Sequence, residues 1–164
     1  MIFAEPTTFS HLSIFENIAV GLRLNRVESG AEIGDAVEKA LNKLELWSQF
    51  KEKLHKTPKD LSNGEKQMIC LARTLVMKPK VILMDEPTAV VGLQATMAFE
   101  QFIREYSKKA TIVMTTSSRK QAARVSDRTA FLLDGELIEI GKTSDLFMNP
   151  QDTRTEDFIT GRFG

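Results

Sequence analysis

Apolar positions fall at helical spacing over some stretches of the chain and in short unbroken runs over others. Ile14, Phe15 and Ile18 predict a short helix. Ile33, Val37, Ala40, Leu41 and Leu44 line one face of a longer helix, which Ser29 with Glu32 would open as a capping box. Trp47 and Phe50 finish that cluster, and the charged run from Lys51 to Asp60, broken by Pro58, reads as a loop. Ser62 with Glu65 forms a second capping-box pattern, followed by Met68, Leu71, Ala72, Leu75 and Val76 on one helical face. Pro79 cannot continue that helix. Val81, Ile82, Leu83 and Met84 form an apolar run without alternation, the pattern of a parallel strand covered on both faces.

Beyond that strand, Phe99, Phe102, Ile103 and Tyr106 make another helical stripe. Thr111 to Thr116 predicts a second buried strand, and Gln121 to Val125 a short helix. Thr129 to Leu133 and Glu136 to Ile140 read as strands joined by Asp134-Gly135, a strong hairpin signal. Leu146 to Met148 and Asp157 to Ile159 suggest short terminal helices. Helices first, then strands alternating with helices, imply an α/β domain carrying a helical insertion.

At 164 residues the chain is one domain's worth, long enough for a real core. Lys plus Arg equals Asp plus Glu at 22 each, so net charge recommends no nucleic-acid partner. No apolar run approaches the length of a membrane span, and no signal peptide opens the sequence. A single cysteine excludes an internal disulfide and fits a reducing compartment. Cys70 sits among apolar residues of the central helix and reads as core. His11 and His55 lack acid or thiol neighbours at ligand spacing. Phe9, Phe15 and Trp47 are read as packing residues rather than as a membrane-facing set, and Lys51, Lys53, Lys56 and Lys59 as a solvated loop.

The candidate chemistry lies between Leu61 and Thr88, LSNGEKQMICLARTLVMKPKVILMDEPT. A capped helix is followed by a buried strand ending in Asp85 and Glu86, where open α/β sheets place ligands. Paired carboxylates there suit a metal bound to phosphate. LSNGE followed by VILMDEPT resembles the signature motif and Walker B of ABC-transporter ATPases, and Leu71, Ala72 and Arg73 also fit. MIFAEPTTFSHLSIFENIAVGLRL at the start, with TAFLLDGELIEIG, LFMNP and TEDFITGRFG at the end, resembles the phosphate-import subgroup.

The resemblance implies a P-loop NTPase-like ABC ATPase domain with a helical subdomain, here lacking the N-terminal Walker A portion. Residues of about 10–78 would form the helical subdomain and signature helix, and about 79–164 the α/β core remnant and C-terminal segment. It also implies ATP and Mg²⁺ as cofactors. Asp85 would hold the metal, Glu86 would act as general base, and Ser62, Asn63 and Gly64 would meet the nucleotide phosphate.

Several positions depart from the family pattern. No G-x-x-x-x-G-K-[ST] stretch is present, and Gly141-Lys142-Thr143 lacks the earlier glycine. Ala4 stands at the Q-loop glutamine position, Ser117 at the switch histidine, and Gly92 at the D-loop aspartate. Asn63 replaces a glycine where backbone approaches phosphate. Glu65 replaces glutamine and brings negative charge; two unit charges about 4 Å apart repel by roughly 4 kcal/mol at an effective dielectric near 20. The simpler reading of Ser62 and Glu65 is a capping box alone.

Three functions compete. The chain could be a degenerate energy-coupling subunit of a phosphate importer that does not hydrolyse ATP alone. It could be a non-catalytic module docking on transporter membrane subunits or on an intact ATP-binding subunit, or a decayed gene product. The expected location is cytoplasmic, peripheral to the membrane. The absent Walker A strand would leave open apolar sheet edges, from which self-association is expected.

Overall fold

The computed structural model describes residues 1–25 and 30–162, and the chain divides into two compact units, Met1–Thr115 and Thr116–Gly164. The expected cap at Ser29 lies outside the described residues.

The first unit opens with Ile2 pairing in parallel beside Met84. Helices α1 (Ile14–Asn25), α2 (Gly30–Lys43), α3 (Trp47–Phe50) and α4 (Asn63–Leu75) follow, with a 3-10 turn at Pro58–Asp60 between the last two. Strand β1 (Val81–Asp85), helix α5 (Leu93–Tyr106) and strand β2 (Thr111–Thr115) complete it. α1, α2 and α4 pack on one another, and α4 also meets α5. Their predicted apolar faces supply much of the core: Ile14 and Ile18; Val37 and Leu41; Phe50; Leu71; Phe99; Leu22 and Ile69 join them. Each such side chain contributes about 1.5–3 kcal/mol by leaving water. Cys70 is buried, as its neighbours in sequence imply.

α1 starts at Ile14, as its apolar residues indicated, and runs longer than they did. Ser13 and Glu16 form another capping box: the Glu16 carboxylate accepts from the Ser13 N–H and hydroxyl at 3.0 Å each, and Ser13 Oγ accepts the Glu16 N–H at 3.1 Å.

A polar hub holds the segment before α1 to α4. Asn17 is fully buried; its Oδ1 accepts from Phe9 N–H and from an Arg73 Nη2, each at 2.8 Å. Arg73 also donates to the carbonyls of Asn17 and Thr7. Phe9 is therefore not core: its ring is 42 % exposed, and the Arg73 guanidinium lies 4.9 Å over it.

β1 pairs with β2 in parallel, Val81 opposite Thr111 through Asp85 opposite Thr115. The expectation of a strand covered on both faces is corrected here. Ile82 and Met84 are buried, whereas Val81 and Leu83 are 54 % and 46 % exposed. Val113, opposite Leu83, is 54 % exposed, so one sheet face is apolar and open. An unbroken apolar run reports what both sides of a strand prefer, not which neighbours are there to cover them.

The second unit holds α6 (Arg119–Val125), the hairpin β3 (Arg128–Leu133) and β4 (Glu136–Lys142), α7 (Thr143–Met148) and α8 (Thr153–Thr160). The hairpin turns at Asp134 and Gly135, both at positive φ (50° and 83°), the conformation that an Asp-Gly pair supplies. β2 and β3 lie in separate two-stranded sheets. Phe131 stacks on Phe158 with ring centroids 4.8 Å apart. α8 ends at Gly161 (φ 79°), where Arg119 donates to the Phe158 carbonyl; a Cβ on Gly161 would lie 2.9 Å from that guanidinium. Among the described residues no helix is long and apolar enough to cross a membrane.

Candidate functional site

The carboxylate pair sits at the C-terminal end of β1, and the parallel register puts Thr115 beside it. Thr115 Oγ1 donates to Asp85 Oδ1 at 2.7 Å. The Glu86 N–H is shared between Thr115 Oγ1 at 3.1 Å and the Thr115 carbonyl at 3.2 Å. Glu86 adopts φ 43°, a left-handed conformation uncommon for a side chain of this kind. These bonds hold it there. Asp85 is exposed and Glu86 half-buried.

The turn after Glu86 is tied to α4. Gln67, fully buried one turn inside that helix, donates its amide to the Pro87 carbonyl at 2.9 Å and to the Phe3 carbonyl at 2.6 Å. Among the described residues its Oε1 has no hydrogen-bond partner. One side chain thus links the start of the chain, the carboxylate turn and the capped helix.

At the head of α4, Ser62 is the N-cap. Its Oγ accepts the Glu65 N–H at 3.2 Å, while Glu65 Oε2 accepts from the Ser62 N–H at 2.9 Å and from its hydroxyl at 2.8 Å. Gln49 braces the other carboxylate oxygen at 2.9 Å. Partial burial works against the Glu65 charge, but the hydrogen bonds from Ser62 and Gln49 outweigh it, and its carboxyl sits below the usual range. A fixed negative charge therefore stands at the helix end that would otherwise favour anions. Asn63, the first helical residue, is exposed. Gly64 has a packing reason to lack a side chain: a Cβ would lie 2.9 Å from the Ala95 Cβ of α5.

The remaining positions are less closely drawn in. Ala4 follows the Ile2 bridge and is half-buried. Gly92 caps α5 at φ −71°, a conformation that does not need glycine. Ser117 belongs to the second unit and is exposed. Gly141 is paired with Thr129 in the hairpin, so the Gly-Lys there is strand, not a phosphate-cradling loop.

Among the described residues no three His, Cys, Asp or Glu side chains group to cage a metal ion. Magnesium arriving with a nucleotide needs only one or two protein carboxylates, the rest being phosphate and water oxygens. Asp85 offers one exposed carboxylate, so this donor set fits a phosphate-borne cation and not a bare one. Thr115, Gln67 and Asn17 escaped the sequence reading.

Comparison with known proteins bears on this arrangement. Residues 1–89 match the family model described as ABC transporter. Curated relatives of Streptococcus agalactiae serotypes III, V and Ia, each named phosphate import ATP-binding protein PstB 1, are 43% identical over the whole chain. The chain spans 65% of their length. The family match covers the carboxylate turn and the capped helix together, and the chain belongs to the ABC transporter family.

Proposed function

We propose that the chain is an ATP-binding component of the phosphate-import type that does not turn over ATP unaided. The observation that carries this reading is the Glu65 carboxylate held at the N-terminus of α4 by Ser62 and Gln49. A nucleotide phosphate approaching that end would meet a like charge already fixed there. Asp85 and Glu86 keep the family's strand-end position, where in a complete site Asp85 would hold Mg²⁺ and Glu86 would activate water. Ala4 and Ser117 bring neither the amide nor the imidazole that would complete the chemistry. The partners on this reading are transporter membrane subunits and an intact ATP-binding subunit, at the cytoplasmic face of the membrane. Purified chain with Mg-ATP should release phosphate no faster than buffer; turnover by the chain alone would overturn the reading.

A second reading, a non-catalytic docking module, is favoured by the open apolar face of Val81, Leu83 and Val113. Sedimentation tests it: a concentration-dependent rise in mass, or a stable complex with an intact subunit, supports docking, and a monodisperse monomer in both settings excludes it.

A further inference from the structure

We propose that Thr115 is a positioning residue for the Asp85–Glu86 pair, acting through a single hydroxyl. Its proton goes to Asp85 Oδ1 at 2.7 Å, and the same oxygen accepts the Glu86 N–H at 3.1 Å. The first bond fixes which Asp85 oxygen faces outward. The second, with the Thr115 carbonyl bond, holds the left-handed turn at Glu86. A valine in this place would fill the same volume, pair the same strands and keep the carbonyl bond to the Glu86 N–H, but would lose both hydroxyl bonds and leave the Asp85 carboxylate unoriented. Hydrogen bonds to a metal-holding carboxylate orient it, and their loss typically costs about 10–100-fold in metal affinity. The inference rests on Asp85 as the carboxylate that takes a phosphate-borne cation.

The probe is Mn²⁺–ATP, added to the ¹⁵N-labelled chain and followed by paramagnetic broadening of amide resonances, which detects weak binding without turnover. In the unaltered protein the Glu86 and Thr115 amides should broaden first, and Asp85→Asn should abolish this. Thr115→Val should need about tenfold more Mn²⁺–ATP for the same broadening, with Thr115→Ser restoring the original titration. Resonances away from β1 and β2 should stay in place, which separates lost positioning from lost structure. Equal titrations for Thr115→Val and the unaltered protein would overturn the proposal. So would a serine variant that behaves like valine, or an unaltered chain showing no broadening selective for the β1 end. ATP turnover by the chain would count against the proposed function and leave this outcome untouched.

Discussion

Replacing Ser62 with alanine separates a helix cap from a nucleotide contact. The change removes the acceptor of the Glu65 N–H (3.2 Å) and the hydroxyl that donates to Glu65 Oε2 (2.8 Å). The bond from the residue-62 N–H to Oε2 (2.9 Å) survives, because it uses backbone. Ser62 is exposed, so water takes over part of what is lost. The expected cost is about 1 kcal/mol, inside the 0.5–2 kcal/mol range for lost caps. For a chain of this size that is a fall of about 2–4 °C in Tm. Glu65→Gln should cost less, about 0.3–1 kcal/mol, since an amide oxygen can still accept from Ser62 while the charge at the helix start is gone. The pH response has a definite sign. Glu65 is lowered in the folded chain, so its contribution is present above the ordinary Glu value near 4.3 and is lost as pH falls through the folded value. Glu65→Gln should therefore lose less stability than the unaltered protein between neutral pH and that acid range. Urea melts at the two pH values read all three proteins. In a mixed complex with an intact ATP-binding subunit, nucleotide affinity should not change on Ser62→Ala. Weaker nucleotide binding at unchanged stability would refute the reasoning and show Ser62 in contact with nucleotide.

Two further outcomes are expected. Gly64→Ala should destabilise by about 1–3 kcal/mol, because its Cβ would lie 2.9 Å from the Ala95 Cβ; Ala95→Gly in the same chain should recover most of it, read by denaturant midpoint. Asp152 caps α8 and is lowered to about 2 by the side chain and backbone N–H of Arg154, so its contribution is present above the ordinary Asp value near 3.9 and is lost as pH falls toward 2. Arg154→Ala should move the Asp152 carboxyl resonance titration upward toward the ordinary value, and an unmoved titration would contradict the assigned cause.

Local chemistry made much of the fold legible. Ser62 with Glu65 and Asp134 with Gly135 carry their structural reasons within a few residues, and the chain folds there as read. Ser13 and Glu16 obey the same rule and cap a helix whose start the apolar Ile14 had already marked, though the cap itself went unread. What stayed hidden depends on residues far apart. Arg73 meets Asn17 across 56 positions, Gln67 reaches Pro87 across 20, and Thr115 reaches Asp85 across 30. No periodicity marks such pairs, since a strand-end threonine or a helix glutamine is ordinary in isolation. The open face of β1 was hidden for the complementary reason: Val81 and Leu83 have the composition of covered residues without the cover. At the candidate site, residue types and order were readable. That Gln49 braces Glu65 and that Thr115 holds Asp85 follows only from the packing.

The most direct test compares phosphate release with and without Glu86→Gln, in the purified chain and in a mixed complex with an intact phosphate-import ATP-binding subunit. The account predicts buffer-level release from the chain alone and the same rate for both forms in either setting, because Glu86 completes no catalytic centre there. A clear rate that Glu86→Gln abolishes would contradict it.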